Sequence, residues 1–108
     1  MTWIVELLTE AETELMRLPA DTRARFLHIA ELLAEFGPHK VGMPHVRPLG
    51  GKLWEMRMAG RDGTARAVYV ARTGQRLTVL HIFAKKTRQT PRKAIETAAA
   101  RLRRLNDA

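Results

Sequence analysis

Cysteine is absent from the sequence, which excludes disulfide bridges and thiolate zinc centres. Long apolar runs are absent too. No stretch approaches a membrane span, and the opening Met1-Thr-Trp-Ile-Val-Glu-Leu-Leu-Thr-Glu has neither a basic n-region nor an apolar run long enough for a signal peptide. A soluble cytoplasmic protein is expected. The four histidines, His28, His39, His45 and His81, lack H-x-x-x-H spacing and a neighbouring carboxylate pair, so neither a metal nor another cofactor is expected. There is no G-x-x-x-x-G-K-[ST] or G-x-G-x-x-G to cradle a nucleotide. Zinc-finger spacing, an aromatic ribonucleoprotein motif and a clean helix-turn-helix are also missing. Internal repeats and low-complexity tracts do not occur.

What the chain has instead is positive charge, unevenly placed. Its formal net charge is +8 over 108 residues, a length that reads as one domain, residues 1–108. Up to Phe36 there are seven acidic and three basic side chains; beyond it there are four acidic and sixteen basic ones. The positive potential therefore belongs to the C-terminal two thirds, and such asymmetry points to a polyanion or an acidic partner for that part.

Trp3 to Leu8 is short, β-branched and aromatic enough for a first strand. Thr9 offers an N-cap for a short helix through Ala11, Leu15 and Leu18 that ends at Pro19. A second helix opens at Ala20 or Asp21. Its Phe26, Ile29, Ala30, Leu33 and Phe36 recur at three-and-four spacing until Gly37-Pro38 stops it. The two helices are read as a hairpin. "GPHKVGMPHVRPLGG", Gly37 to Gly51, is read as a loop. Three strands follow, Lys52 to Ala59, Thr64 to Arg72 and Gln75 to Ala84, separated by the turn sequences "GRDG" and "TG". Thr90 caps and Pro91 begins a last helix with Ile95, Ala98, Ala99, Leu102 and Leu105 on one face. The predicted order is β-α-α-β-β-β-α: an α+β fold of one antiparallel-rich sheet with helices packed on it.

Side chains alternate across a strand, so faces can be assigned. Trp54, Met56 and Met58 form an apolar set, with Leu53, Glu55 and Arg57 opposite. Arg66, Val68 and Val70 oppose Ala67 and Tyr69. On the last strand, strict alternation sets Val79, His81, Phe83 and Lys85 against Leu80, Ile82, Ala84 and Lys86. Arg57, Arg66 and His81, followed by Lys85-Lys86, put cationic groups on otherwise apolar ladders, which is costly unless they meet water or an anion. A shared anion-binding concavity is predicted. The chemistry such residues can perform without metal is phosphodiester cleavage in RNA. Arginine or lysine would hold the developing phosphorane charge, and Lys85, Lys86 or His81 would take the proton from the attacking 2′-OH.

The runs "LPADTRARFLHIAELLAEFGPHKVGMPHVRPLGGKLWEMRM", "ARAVYV" and "LTVLHIFAKKTRQTPRKAIETAAARL" resemble the phage-derived Gp49-like, or HigB-like, branch of the RelE/ParE superfamily of type II toxins. The resemblance spans about Leu18 to Leu105 and several motifs in order. One departure is Ile82, where the family often carries glycine. The resemblance implies a RelE-like fold and a toxin that cleaves mRNA, usually in the ribosomal A site, until a cognate antitoxin, helix-turn-helix and HigA-like, silences it. Carried over motif by motif, it implies Arg57, Arg66 and Lys85 or Lys86 at the scissile phosphate, Lys52 on the strand of Arg57, Tyr69 either in the core or stacked on an RNA base, and Trp54 in the core. His81 joins the catalytic set by its intrinsic pKa, and Lys52 and, as a general contact, Arg88 are read as RNA-binding. Two other functions fit the same charges: a ParE-like gyrase inhibitor, and a non-catalytic nucleic-acid-binding phage accessory protein.

Overall fold

A computed structural model describes residues 2–42, 45–85 and 89–107, without the side chain of Lys85. Lys86 and Arg88 lie outside the described residues. The chain runs β1 (Ile4–Leu7), α1 (Thr9–Met16), α2 (Ala20–Phe36), α3 (Pro38–Val41), β2 (Val46–Gly50), β3 (Leu53–Gly60), β4 (Gly63–Arg72), β5 (Arg76–Lys85) and α4 (Arg92–Asp107). The strands form one sheet in the order β1-β5-β4-β3-β2. β1 pairs parallel with β5, and every other pairing is antiparallel.

The predicted stripe of α2 buries Phe26, Ile29 and Leu33 against Met56, Met58, Ala65, Ala67 and Tyr69 of the sheet. Removing each large side chain from water stabilises the fold by roughly 1.5–3 kcal/mol. Close approach of α2 and the sheet depends on Gly60: a Cβ there would lie 2.4 Å from Thr22 Oγ1. At that point Asp21 accepts the Arg61 backbone N–H at 2.6 Å, tying the β3–β4 turn to the helix. The two N-terminal helices do not pack chiefly on each other as a hairpin would. α1 lies on β5 and β1, while α2 lies on β3 and β1. The opposite face of the sheet carries α4, where Ala98, Leu102 and Leu105 cover Val68, Val70 and Leu80.

Four expectations are corrected. The segment 37–51 is not all loop: Pro38 starts a one-turn helix and Val46–Gly50 is an edge strand that tolerates Pro48 because its outer side needs no partner. Thr9 is the first residue of α1, not its cap, since the capping position is held by Leu8. Thr90 does not cap α4 with its side chain. Pro91 supplies the carbonyl that accepts from Ala94 and Ile95, and the Thr90 hydroxyl is donated to Glu55. Finally, alternation along β5 breaks. Tyr69 pairs with Val79 but Val68 pairs with His81, so Leu80 is the extra residue of a β-bulge. Val79 consequently joins the core beneath the N-terminal helices, while Leu80 packs under α4.

Candidate functional site

On the α4 side of the sheet the side chains form successive cross-strand rows. Leu53 and Val70 lie at one end with Thr78; Glu55, Val68 and His81 make the next row; Arg57, Arg66 and Phe83 the one after. The cluster under α4 includes Val70 and Val68 of the first two rows, with Phe83 of the third packed against it, and in that third row Arg57 is exposed. There Arg57 stands directly opposite Arg66, an arrangement of like charges that is unfavourable unless something negative offsets it.

One carboxylate is at hand, and it is fully engaged. Glu55, 1% exposed, accepts from Arg47 Nε at 3.0 Å, from Arg66 Nη1 and from the Thr90 hydroxyl. Burial alone would push this carboxyl's pKa up; the Thr90 hydroxyl and the guanidinium groups of Arg66 and Arg47 outweigh it and hold it below the ordinary glutamate value. Arg66 is itself buried, and its Nε–H has no acceptor among the described residues. Arg57 is exposed and has no ion pair among the described residues. The net charge of this patch is therefore positive, with Arg66 fixed in place and Arg57 available.

His81 sits one row away, stacked on Phe83 with ring centroids 5.1 Å apart. Its Nδ1 is 3.0 Å from Glu14 Oε2 of α1. Glu14 also accepts the Ile82 backbone N–H at 3.0 Å. That N–H lies past Leu7, where the β1–β5 pairing stops, so the carboxylate takes the place of the strand that has ended. Arg101 of α4 bonds both Glu14 oxygens and the carbonyl of the bulge residue Leu80 at 2.9 Å. Desolvation opposes ionisation of Glu14, but Arg101, the Ile82 N–H and His81 prevail and lower its pKa.

The structure thus brings Arg57 and Arg66 together, with the backbone of Lys85 one row further along β5 opposite Thr64. His81 adjoins them through Phe83. Lys52 is elsewhere. It is an exposed turn residue at the start of β3, lining with Arg72, Arg76 and Asn106 a cavity of about 570 Å³ at the other end of the sheet. Tyr69 leaves the RNA-contact set: it is 0% exposed, on the face packed by the N-terminal helices, and its ring stacks on Trp54. Burial pushes its phenol pKa up. Glu55, Arg47, Glu14 and Arg101 were not among the expected site residues. A carboxylate at an internal strand position, flanked by cations, was the available signal for Glu55; nothing local marked Glu14 or Arg101. Among the described residues no cluster of histidine and carboxylate side chains could hold a metal ion.

The model of the family described as phage-derived protein Gp49-like matches residues 13–103. No curated protein matches the chain. Among solved structures, the Escherichia coli toxin RelE in the free state superposes with a TM-score of 0.66 at 15% identity, covering 97% of this chain and 99% of that one. The Mycobacterium tuberculosis toxin–antitoxin complex RelBE2 gives 0.58 at 19% identity, with coverage of 79% and 100%. The Pyrococcus horikoshii RelE–RelB complex gives 0.57 at 23%, with coverage of 78% and 96%.

Proposed function

The chain belongs to the phage-derived Gp49-like family and has the fold of RelE toxins, and from that premise we propose that it is the toxin of a type II toxin–antitoxin pair, acting as a metal-independent endoribonuclease on mRNA at the ribosome. The observation that carries the reading is the Arg57–Arg66 pair on the open part of the sheet, facing each other with their one nearby carboxylate already spent. A phosphodiester is the anion such a pair suits.

In this reading the 2′-oxygen attacks the adjacent phosphorus, the P–O5′ bond breaks, and a 2′,3′-cyclic phosphate and a 5′-hydroxyl are released. Arg57 and Arg66 neutralise the charge that builds on the phosphoryl oxygens. Lys85, Lys86 and His81 are the candidates for moving protons. Of these, His81 is the one held in place: Glu14 Oε2 at 3.0 Å and Arg101 Nη1 at 3.3 Å both meet its Nδ1 and orient the ring. Arg88 and Lys52 serve RNA backbone contact.

Two solved structures of this fold are toxin–antitoxin complexes and a third is a RelE–RelB complex, which supports a cognate antitoxin as partner; we propose one of the helix-turn-helix HigA-like kind. No helix among the described residues is long and apolar enough to cross a membrane, which accords with action on cytoplasmic ribosomes. The deciding experiment maps mRNA 5′ ends in a translating extract supplied with wild-type protein or with Arg57→Ala. New ends with the wild type and none with the variant are expected. Intact mRNA accompanied by gyrase-linked DNA breaks would replace the reading with a ParE-like one, and intact mRNA with neither would leave a nucleic-acid-binding module.

A further inference from the structure

His45 sits in the glycine- and proline-rich segment between α3 and β2, and the fold places it beside Arg57. Its carbonyl accepts the Arg57 backbone N–H at 2.8 Å, which fixes it against β3 just where β2 begins. From the other side α2 contributes Arg25. These residues, with Ala59, line a cavity of about 330 Å³. Two arginines and a histidine, from three separate elements, thus line one opening, and no carboxylate lines it among the described residues. Neither arginine has an ion pair among the described residues. Like charges converging without a counter-charge are unfavourable in the free protein and favour an anion.

We propose that Arg25, His45 and Arg57 form a second phosphate subsite, which holds an RNA backbone phosphate neighbouring the one bound between Arg57 and Arg66. The inference rests on the endoribonuclease reading for the identity of the ligand. Arg57 is the shared wall. It stands opposite Arg66 on one side and lines the cavity with Arg25 and His45 on the other, so it can bridge consecutive phosphates of one strand. Arg66, tied to Glu55, cannot swing to do so. The subsite sets the line along which the strand crosses the sheet edge, from Arg66 toward α2.

The test measures binding of a fluorescein-labelled single-stranded RNA of about a dozen nucleotides at several salt concentrations, for wild type, Arg25→Ala, His45→Asn and, as a control of equal charge change to the first, Arg103→Ala at an exposed position on α4. Removing the cation that neutralises one phosphate should reduce the salt slope by about 0.7. Arg25→Ala is expected to weaken binding about threefold to tenfold with that reduced slope, His45→Asn to weaken it less, and Arg103→Ala to leave the slope unchanged. A neutral methylphosphonate at the linkage next to the cleavage point should weaken wild-type binding and leave Arg25→Ala indifferent. Affinity and slope unchanged in both variants would overturn the subsite even if mRNA is still cleaved. The expected losses with no cleavage anywhere would keep the subsite and sink the nuclease reading. Loss of antitoxin binding with RNA binding intact would make the cavity a protein-docking site and overturn the proposal.

Discussion

The two faces of the sheet are built from the same strands and obey different rules. Toward α1 and α2 the side chains are Met56, Met58, Ala65, Ala67, Tyr69, Val79 and Ile82, all buried. Toward α4, among the described residues, the apolar cluster centres on Val68, Val70 and Leu80 with Leu53 and Phe83 packed against it, and along the sheet the rows turn charged: Glu55, then Arg57 and Arg66. One face is finished by packing. The other is finished by ion pairing in which the single carboxylate of Glu55 serves Arg47 and Arg66 and leaves Arg57 without a partner among the described residues, and that surplus of positive charge is where a ligand belongs.

The largest expected effect comes from breaking the ion pairing. Glu55→Ala leaves Arg66 buried without its partner, and removal of one member of a buried pair costs about 3–5 kcal/mol; a chemical denaturation midpoint checks it. The same group makes stability pH-dependent. Glu55 and Glu14 both have pKa values lowered by folding, so their contribution is fully present above the ordinary glutamate value of about 4.3 and is lost as pH falls through their lower folded values. Thermal unfolding followed from pH 7 to pH 3 should show that decline, and Glu55→Gln should make it shallower.

Next comes Arg57→Ala. Loss of one cation from the phosphorane is expected to lower single-turnover cleavage by about 100-fold or more, while stability changes by less than about 0.5 kcal/mol because the side chain is exposed. A variant that lost stability in proportion to activity would erase the distinction between the two faces. Lys52→Ala should do less: a salt slope for RNA binding smaller by about 0.7, with cleavage of bound RNA unchanged, since Lys52 lies at the far end of the sheet. The smallest effect belongs to Tyr69→Phe. The hydroxyl is buried without a partner among the described residues, so its removal should leave stability equal or slightly higher and RNA binding unaltered. A drop in RNA affinity would show that the packed face is not closed.

Much of this was legible in the sequence. The stripe Phe26, Ile29, Leu33 carries helical periodicity strong enough to locate α2, and alternation on β3 separates Met56 and Met58 from Glu55 and Arg57, which marked Arg57 and Arg66 as cations to be grouped; that they stand directly opposite each other depends on the register. The misreadings share one cause: the information sits at long range. Pro48 lowers the strand signal of β2 because local propensity does not reveal that the residue lies at a sheet edge. Thr90 has the composition of a cap, but Glu55, 35 residues earlier, competes for its hydroxyl. Tyr69 on a strand of mixed character fits either a core or a stacking platform until the packing of α2 decides. Parallel pairing of β1 with β5 and the meeting of Glu14 with Arg101 join residues more than seventy positions apart, beyond any local pattern.

The bulge at Leu80 gives β5 two phases. Upstream, odd-numbered residues such as Leu77 and Val79 face inward; downstream, His81 and Phe83 face the open side. If the extra residue were drawn back into regular pairing, the downstream half would turn over, carrying His81 and Phe83 into the core and Ile82 out of it. What resists this is a pair of clamps, Arg101 on the Leu80 carbonyl and Glu14 on the Ile82 N–H. Two side chains on outer helices thereby act as the pawl of a ratchet, holding the strand to one setting of two and so aiming both His81, which they touch, and Phe83 beyond it.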